Sequence, residues 1–507
     1  MKTKYIIAHD LGTSGDKATL FAEDGRLIGS YTKGYDTNYF NGNWAEQNAD
    51  DWWNAVCVTT GTLIRESKID PHDIAVVSFS GQMMGCLCVD KDGKPLRPSI
   101  IWADMRAVKE SAKLEEAISQ KEFYGIVGHR NTPSYGIQKL MWVKENEPEV
   151  YEATYKMLNA KDYIGFKLTG CFYTDYSDAN SCGCFDITNL CWSERILEAA
   201  GIDREKLPEC KPSTFVGGYV TEEAAVLTGL AEGTPVVLGA GDGVTANVGT
   251  GSIEPGKTYC CLGTSAWVTT TSEKPIFDEE MRIVNWVHAV PGYYAPNGTM
   301  QAAGASYHWA KEQICKWEKN QAKIDNTSPY PLMNMEVKNS VPGANGLYFL
   351  PYLVGERAPR WNPDAKGAFI GLKAENSRGD ILRSVLEGIT FNLAICLDIM
   401  RNYMDIDELT VVGGGAKGDV WQQILADVFQ TKIQVPEVLE EGGSMGAAVI
   451  GGVGVGLFED FSAVNRFYKI SQERIPNEIL TDLYREKRKV FDGLYDALKP
   501  MFDKLVF

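Results

Sequence analysis

Short apolar runs and one helical period define the start of the chain. Residues 5–8 and 18–21 are apolar runs that predict two buried strands, and residues 23–26 predict the turn into a third strand. Residues 51–66 repeat apolar positions with helical spacing, and residues 75–79 return as a short buried strand. Helix and strand signals go on alternating, which predicts an α/β or α+β fold and not an all-β one.

A short internal repeat suggests how the chain is divided. Leu11-Gly-Thr-Ser14 recurs as Leu262-Gly-Thr-Ser265, again between segments rich in strand-forming residues. Two such turns so far apart predict two similar domains that face one ligand. The 507 residues are too many for one compact core, and the boundary falls in a Gly-rich stretch. We therefore expect domains at residues 1–250 and 251–507, with residues 478–507 as an amphipathic closing helix.

The charge balance excludes several classes of partner. Fifty Lys and Arg residues stand against 67 Asp and Glu residues, which gives a net charge of −17. This excess of acid argues against a protein that follows nucleic-acid phosphates or docks on anionic lipid. We expect no nucleic-acid partner and no membrane partner, although a local basic pocket for a phosphorylated ligand remains compatible with this charge.

The cysteines and the apolar runs bear on the compartment. The first ten residues show no signal-peptide pattern, and the longest weakly polar run, residues 442–457, is Gly-rich and shorter than the ~18–20 residues of a membrane span. Twelve cysteines without a secretion signal are more typical of reduced, buried thiols than of disulfides or a zinc site. These features predict a cytoplasmic protein.

Two glycine-rich motifs suggest nucleotide binding. Gly251-Ser-Ile-Glu-Pro-Gly-Lys-Thr258 fits the P-loop pattern, but β-forming residues follow it where a P-loop needs a helix. Gly413-Gly-Gly-Ala-Lys-Gly418 fits GxGxxG and lies between a predicted strand at 409–412 and a predicted helix at 419–429. Because a dinucleotide fingerprint usually opens its domain, this late position favours an adenosine site over a nicotinamide site.

Two aspartates are candidates for the chemistry. Asp10 ends a predicted buried strand just before the first Gly-Thr-Ser turn, whose amides and hydroxyls could hold phosphates while the carboxylate holds Mg²⁺. The alternative is a capped surface turn. Asp242 follows a predicted strand at 235–238 on a Gly-flanked turn, where it could accept a proton from a substrate hydroxyl. Asp-Gly turns are also common without any catalytic role.

The motifs taken together resemble one family. They are, in chain order, Asp10-Leu-Gly-Thr-Ser14, Gly81-Gln-Met-Met-Gly85, Trp102-Ala-Asp-Met-Arg106, Lys139-Leu-Met-Trp-Val-Lys-Glu-Asn146, Gly239-Ala-Gly-Asp-Gly243, Gly367-Ala-Phe-Ile-Gly-Leu372, Asp380-Ile-Leu-Arg-Ser-Val-Leu-Glu387 and Gly413-Gly-Gly-Ala416. In order and spacing this set resembles the FGGY carbohydrate kinases. Gly136 departs from the family pattern, since Ser, Thr or Pro is usual at its position.

The resemblance implies a fold, two cofactors and a set of roles. It implies two ribonuclease-H-like domains of the actin and heat-shock ATPase superfamily, with ATP, Mg²⁺ and a sugar in the cleft between them, and a homodimer is common among such proteins. Asp242 would be the general base and Asp10 would organise the metal. The phosphate-binding residues would be Thr13, Ser14, Lys17, Gly263 and Thr264, and those that line the adenosine would be Gly414, Gly415 and Ala416.

The acceptor is harder to predict from the motifs. The resemblance places Gln82, Met83, Met84, Trp102, Asp104 and Arg106 around the sugar. The Gly81–Gly85 motif is most similar to xylulokinases, so D-xylulose is the first expectation. A His is usual where Met84 stands and an Asn where Gly243 stands, which leaves the specificity open.

Gluconate, or another polyol or ketose, is the alternative acceptor. The Trp102 motif, Asp242-Gly243 and Gly355-Glu-Arg-Ala-Pro-Arg-Trp361 resemble gluconate kinases, with Arg106 as a cation for the substrate carboxylate. For adjacent Glu356 and Arg357, the sequence favours a pair of charges that braces the loop over a role in the site. More distant alternatives are an actin-like ATPase without sugar transfer and a dehydrogenase built on the GxGxxG segment.

Overall fold

The computed structural model of the chain describes residues 2–438 and 441–505, and its first large sheet has seven strands. The order across the sheet is Val216–Tyr219, Pro235–Val237, Ile74–Gly81, Tyr5–Leu11, Gly15–Ala22 and Leu27–Gly34, with Ala240–Gly241 also paired to Ile74–Gly81. The helices of this half of the chain are Ala49–Ser67, Val108–Ala117, Gln120–Val127, Gly136–Asn146, Pro148–Ala153, Ala160–Thr169, Tyr176–Ser181, Glu194–Ala200, Glu222–Thr228 and Asp242–Gly249. The predicted strands at 5–8, 18–21 and 75–79 and the predicted helix at 51–66 are confirmed, each slightly longer than predicted.

Small accessory sheets complete the first half of the chain. One has three strands, Asn38–Phe40, Trp44–Gln47 and Ser99–Ile100. Three two-stranded pairs join Leu87–Val89 to Lys156–Leu158, Tyr173–Asp175 to Glu209–Lys211, and Phe185–Asp186 to Cys191–Trp192.

A second seven-stranded sheet occupies the other half. Its order is Val284–Val287, Tyr294–Met300, Ala266–Thr270, Thr258–Leu262, Glu408–Val412, Lys432–Pro436 and Ile470–Arg474, and a separate hairpin pairs Tyr348–Leu350 with Ala368–Ile370. The helices of this half are Gly304–Gln313, Lys316–Ile324, Tyr330–Asn339, Arg378–Arg401, Asp419–Phe429, Gly442–Gly454 and Thr481–Phe502. The last of these is the predicted closing helix. The strand and helix predicted around the GxGxxG segment are confirmed as Glu408–Val412 and Asp419–Phe429.

The two Gly-Thr-Ser segments are equivalent hairpin turns. Leu11 pairs with Asp16 across the first turn, and Leu262 pairs with Ala266 across the second. The P-loop pattern at 251–258 lies in the reverse context of a true P-loop. It follows the helix Asp242–Gly249 and leads into the strand Thr258–Leu262. The repeated turns therefore remain candidates for binding the nucleotide phosphates, and the P-loop pattern does not.

The helix Gly442–Gly454 lies against the first sheet, although it comes late in the chain. Its buried side chains, from Met445 to Ile450, share one apolar cluster with Ile6, Ala8 and Val76 of that sheet. Val244 and Val248 of the helix Asp242–Gly249 join the same cluster. Both helices thus cover one face of the first sheet, and the chain then returns to the second sheet at Ile470–Arg474.

Several predicted absences can be compared with the fold. None of the twelve cysteines forms a disulfide. Within the described ranges, no group of three or more His, Cys, Asp or Glu side chains is arranged to hold a metal ion. No helix in those ranges is long and apolar enough to cross a bilayer.

Candidate active site

Strand register brings the two candidate aspartates to one edge of the first sheet. The parallel strands pair Leu11 with Gly81 and Gly81 with Gly241, so all three strands end at the same level. The segments that follow the carboxyl ends of parallel strands meet at one edge of a sheet. Asp242 and the first Gly-Thr-Ser turn therefore lie at the same edge, with the end of the strand Ile74–Gly81 between them, and Asp10 is one residue inside this edge.

Asp10 lies under close cover from the helix Gly442–Gly454. A Cβ added to Gly443 would stand 3.2 Å from Oδ2 of Asp10 and 3.2 Å from Oγ of Ser80. Burial raises the pKa of Asp10, against a hydrogen bond from Ser80 and the positive charge of Lys17. Asp10 as a whole residue is still partly exposed.

Asp242 opens the helix Asp242–Gly249. Its Oδ1 accepts the backbone N–H of Gly243 at 2.7 Å. The carboxylate is accessible to solvent yet surrounded by protein, and this burial, together with the charge of Asp10, raises its pKa to about 6. A carboxylate that ionises near neutral pH and is open on one side is suited to accept a proton from a hydroxyl.

The second domain supplies the opposite wall of this site. Register places Tyr259, Cys261 and Trp267 on one face of the second sheet, because Cys261 is opposite Trp267 and two residues from Tyr259. The charge of Asp242 acts on the pKa of both Tyr259 and Cys261, in each case behind the larger effect of burial. Asp242 therefore lies between the two domains. Tyr259 and Trp267 were missed by the sequence reasoning.

The first Gly-Thr-Ser turn is held from behind. The indole N–H of Trp102 donates to Oγ1 of Thr13 at 2.8 Å, and Nε2 of Gln47 donates to the Thr13 carbonyl at 2.7 Å. Ser14 is exposed at the tip of the turn. Lys17 forms an ion pair with Glu441 at 3.0 Å, beside Asp10. These contacts fix the turn and leave its tip open.

The second turn is braced by the start of the helix Gly304–Gln313. The backbone N–H of Gly304 donates to the Gly263 carbonyl at 3.0 Å, and that of Ala305 donates to the Thr264 carbonyl at 3.0 Å. A Cβ on Gly304 would lie 2.3 Å from the Gly263 oxygen, so only glycine allows this approach. Thr264 itself is exposed.

The GxGxxG segment adjoins the second turn. Cys261 pairs with Val412 in parallel strands, so Gly263 and Gly413 emerge at the same edge. A Cβ on Gly415 would meet Leu262 and Trp421 at 2.7 Å, whereas Gly414 is open. Ala416 is fully buried and, unlike Gly414, presents no surface to a nucleotide. This open strand-to-helix turn has the form that a nucleotide requires.

The predicted acceptor residues fall into two groups, and three of them lie near the edge. Met83 is buried against Gly241, where an added Cβ would be 2.5 Å from its Cγ. Met84 is partly exposed, adopts a φ of 63°, and donates its N–H to Ser181 at 3.0 Å. The Trp102 indole is partly exposed above Thr13. Met84 and Trp102 therefore have exposed surface near this edge, whereas Met83 packs beneath Gly241.

The other three predicted acceptor residues are turned away from the edge. Gln82 is buried and donates to Gln47 at 2.8 Å, behind the Thr13 turn. Asp104 is fully buried and accepts from Arg106 at 2.7 Å. The Arg106 guanidinium also pairs with Glu46 at 2.8 Å and stacks 3.9 Å above the centre of a Trp44 ring. With its side chain 1% exposed, Arg106 braces the domain and presents no cation to a ligand.

The loop at Gly355–Trp361 adds a charge that sequence reasoning treated as ambiguous. The Glu356 carboxylate is turned inward, where it accepts N–H groups from Gln301 at 2.6 Å and Arg357 at 2.8 Å. Burial raises its pKa to about 8. The Arg357 side chain is exposed, and in the described ranges no carboxylate lies within salt-bridge distance of it. Partial burial lowers the pKa of Arg357. The electrostatic effect of Tyr135, from the first domain, acts in the opposite direction and raises this pKa.

Tyr135 links Arg357 to the predicted acceptor pocket. The Lys139 ammonium donates to the Ser134 carbonyl at 2.6 Å and to the Met84 carbonyl at 2.8 Å. Ser134, which precedes Tyr135, and Met84 thus accept hydrogen bonds from the same ammonium group. Arg357 of the second half of the chain therefore lies within electrostatic range of Tyr135, next to a residue that shares the Lys139 ammonium with Met84.

Family models match nearly the whole chain. Residues 5–249 match the N-terminal domain of the FGGY family of carbohydrate kinases, and residues 258–455 match its C-terminal domain. The chain belongs to the FGGY family of carbohydrate kinases. Its fold consists of the two ribonuclease-H-like domains that the motifs implied, and FGGY kinases use ATP as the phosphate donor.

Individual relatives divide between two acceptors. The chain is 31% identical over 505 residues to a gluconokinase of Bacillus licheniformis, which covers 99% of the chain and 98% of the relative. It is 32% identical over 505 residues to a xylulose kinase of Bacillus subtilis, which covers 98% and 99%. A solved gluconate kinase of Lactobacillus acidophilus superposes with a TM-score of 0.92 at 27% identity, covering both chains fully. A solved xylulose kinase from the same organism gives 0.92 at 28%, covering 99% of the chain and 100% of that structure. The chain is therefore a sugar kinase, and its relatives do not decide which sugar is its substrate.

Proposed function

We propose that this FGGY kinase transfers the γ-phosphate of ATP to a hydroxyl of a small open-chain sugar, with D-xylulose as the first acceptor. The observation that carries the proposal is the placement of Asp242 within electrostatic range of Asp10, at the edge where the two hairpin turns expose Ser14 and Thr264. The Gly81–Gly85 segment, with Met83 and Met84 at the same edge, supports a ketose similar to those of the xylulose kinases.

The proposed step needs one proton acceptor and good positioning. Asp242 accepts the proton of the acceptor hydroxyl, whose oxygen forms a bond to the γ-phosphorus as the bond from that phosphorus to the β,γ-bridging oxygen breaks and ADP leaves. The turns at Thr13–Ser14 and Gly263–Thr264 hold phosphate oxygens from opposite domains. The open Gly414–Gly415 backbone receives the adenosine.

Mg²⁺ fits the donor set that Asp10 offers. This ion binds proteins through one or two carboxylates and takes its other ligands from water and phosphates, so a cluster of protein ligands is not required. Asp10 is partly exposed beside the first turn and suits that role. When bound, Mg²⁺ would neutralise phosphate charge. The chain's own contribution is to orient Asp10 through Ser80 and the close approach of Gly443.

A second candidate acceptor is gluconate, and Arg357 is the observation that favours it. Among the described residues no carboxylate forms a salt bridge with the exposed Arg357, which lies within electrostatic range of Tyr135. A sugar acid would bring the missing carboxylate, and guanidinium and carboxylate groups form strong paired hydrogen bonds. Arg106 cannot take this part because Asp104 and Glu46 already bind it.

The first experiment measures ADP release from ATP·Mg²⁺ across a panel that includes D-xylulose, L-xylulose, D-ribulose, L-ribulose, glycerol, erythritol and D-gluconate. One strongly stimulating acceptor would support the kinase, and Asp242→Asn should then lower kcat by about 10²–10⁴-fold. Asp496→Asn, at an exposed position on the closing helix, is the matched control and should retain full activity. Full turnover by Asp242→Asn would refute the assignment of the base.

Arg357→Gln separates the two acceptors. If a sugar acid is the substrate, the variant should raise its KM by about 10–100-fold, as expected for one lost charge-assisted contact, with little change for a ketose. An equal effect on both acceptors would argue against Arg357 as the carboxylate-binding residue.

A further inference from the structure

A chain of hydrogen bonds runs from the second domain to the candidate base. The indole N–H of Trp267 donates to the Tyr259 hydroxyl at 2.8 Å, and that hydroxyl donates to the Gly243 carbonyl at 3.2 Å. The Gly243 N–H in turn donates to Asp242 Oδ1 at 2.7 Å. An indole N–H can only donate and a carbonyl can only accept, so the Tyr259 hydroxyl must do both.

Tyr259 is built into the wall and has no freedom to turn elsewhere. Its side chain is fully buried, and burial raises its pKa, so the phenol stays a neutral donor. Without its hydroxyl, the Gly243 carbonyl and the Trp267 indole would each lose this hydrogen-bond partner.

Gly243 is the point at which the chain of bonds could act. Gly243 is the second residue of the helix Asp242–Gly249, glycine has more backbone freedom than any other residue, and it has no side chain that could hold it in place. The contact from Tyr259 fixes its carbonyl, and the N–H of the same residue holds Asp242. The restraint comes from the other domain, because the Asp242–Gly249 helix packs with the first sheet.

We infer that Tyr259 is a positioning residue for Asp242, acting through Gly243 across the domain boundary, and that Trp267 orients its hydroxyl. This inference rests on the proposed role of Asp242 as the base. It assigns to the second domain a part in aligning the base, in addition to holding phosphates. The base is aligned only when the two domains are in contact at this point.

The test removes one hydroxyl. Tyr259→Phe should lower kcat by about five- to tenfold, the effect of one lost hydrogen bond, and leave the KM values for ATP and acceptor unchanged. Tyr468→Phe is a matched control, because the Tyr468 hydroxyl donates to the Thr250 carbonyl at 3.1 Å, at the other end of the same helix. It should leave kcat unchanged. A rise in KM without a loss of kcat in Tyr259→Phe would overturn the inference.

A double-mutant cycle separates positioning from general destabilisation. In an Asp242→Asn background, Tyr259→Phe should cause no further loss of the residual rate, since the group that it positions is gone. Independent, multiplying losses would show that Tyr259 does not act through Asp242, and would overturn the inference.

Hydrogen exchange provides a readout that needs no acceptor. Tyr259→Phe should increase amide exchange in the first turn of the Asp242–Gly249 helix, and Tyr468→Phe should increase it only at the last turn. Equal exchange in wild type and Tyr259→Phe overturns the inference whether or not an acceptor is found. A wild-type protein that no acceptor stimulates would instead refute the proposed function, so the two failures are distinct.

Discussion

The indole N–H of Trp102 donates to Oγ1 of Thr13 across 2.8 Å. Trp102 belongs to the motif predicted to surround the sugar, and Thr13 belongs to the turn predicted to hold phosphate. One hydrogen bond thus joins the two halves of the site within the first domain. A ligand that displaces one of these two residues would therefore strain or break the hydrogen bond to the other.

Trp102→Phe tests this link. The variant keeps an aromatic ring but removes the donor to Thr13, so we expect KM for ATP or acceptor to rise by about three- to tenfold, the value of one hydrogen bond. Steady-state kinetics with both substrates varied will measure it. Trp317→Phe, at an exposed position far along the chain, should leave both KM values as they are.

The activity should depend on the ionisation of Asp242. Its pKa is raised to about 6, and only the carboxylate form can accept the proton of a hydroxyl. As pH falls through 6, the fraction of active enzyme falls, so kcat/KM for the acceptor should be level above pH 7 and decline about tenfold per pH unit well below 6. A profile that stays level down to pH 4.5 would contradict the role of Asp242.

Gly443→Ala should disturb Asp10 more than the fold. The added methyl would lie 3.2 Å from Asp10 Oδ2 and Ser80 Oγ, so one of them must shift. A displaced catalytic group can cost up to about 10²-fold in rate, and we expect kcat to fall about tenfold or more with Tm nearly unchanged. Gly493→Ala, where an added Cβ meets nothing within 4 Å, should keep full activity.

Arg106 is predicted to matter for stability and not for acceptor choice. Arg106→Ala would leave Asp104 and Glu46 without their shared partner, and breaking a buried ion pair costs about 3–5 kcal/mol. Urea unfolding should show a large loss. Arg195→Ala, in an exposed pair with Glu122, should change stability by less than about 1 kcal/mol. Selective loss of activity on sugar acids in a stable Arg106→Ala variant would contradict this assignment.

Sequence reasoning could predict the parts of the site that local patterns determine. The Gly-Thr-Ser turns need short glycine-containing hairpins between strands, and these leave a signature at positions 11–14 and 262–265. The strand-to-helix turn at Gly413–Gly418 leaves a similar one. Each of these features depends on neighbours along the chain, and each is confirmed.

Features that depend on distant parts of the chain were not predictable. Gln82, Asp104 and Arg106 lie in the expected motifs, but their side chains are buried. Contacts with residues 44–47, which lie elsewhere in the sequence, hold Gln82 and Arg106 in the interior. Tyr259 belongs to none of the motifs, and its contact with the Gly243 carbonyl can be recognised only from the three-dimensional structure.

The return of the helix Gly442–Gly454 to the first sheet has a consequence for how the protein is made. One face of that sheet is covered by residues that leave the ribosome near the end of synthesis, together with Phe458, Phe461 and Phe467. The first domain therefore cannot complete its core while the chain is still short. The face of the first strands that this helix covers stays exposed to solvent until nearly the whole polypeptide has been synthesised.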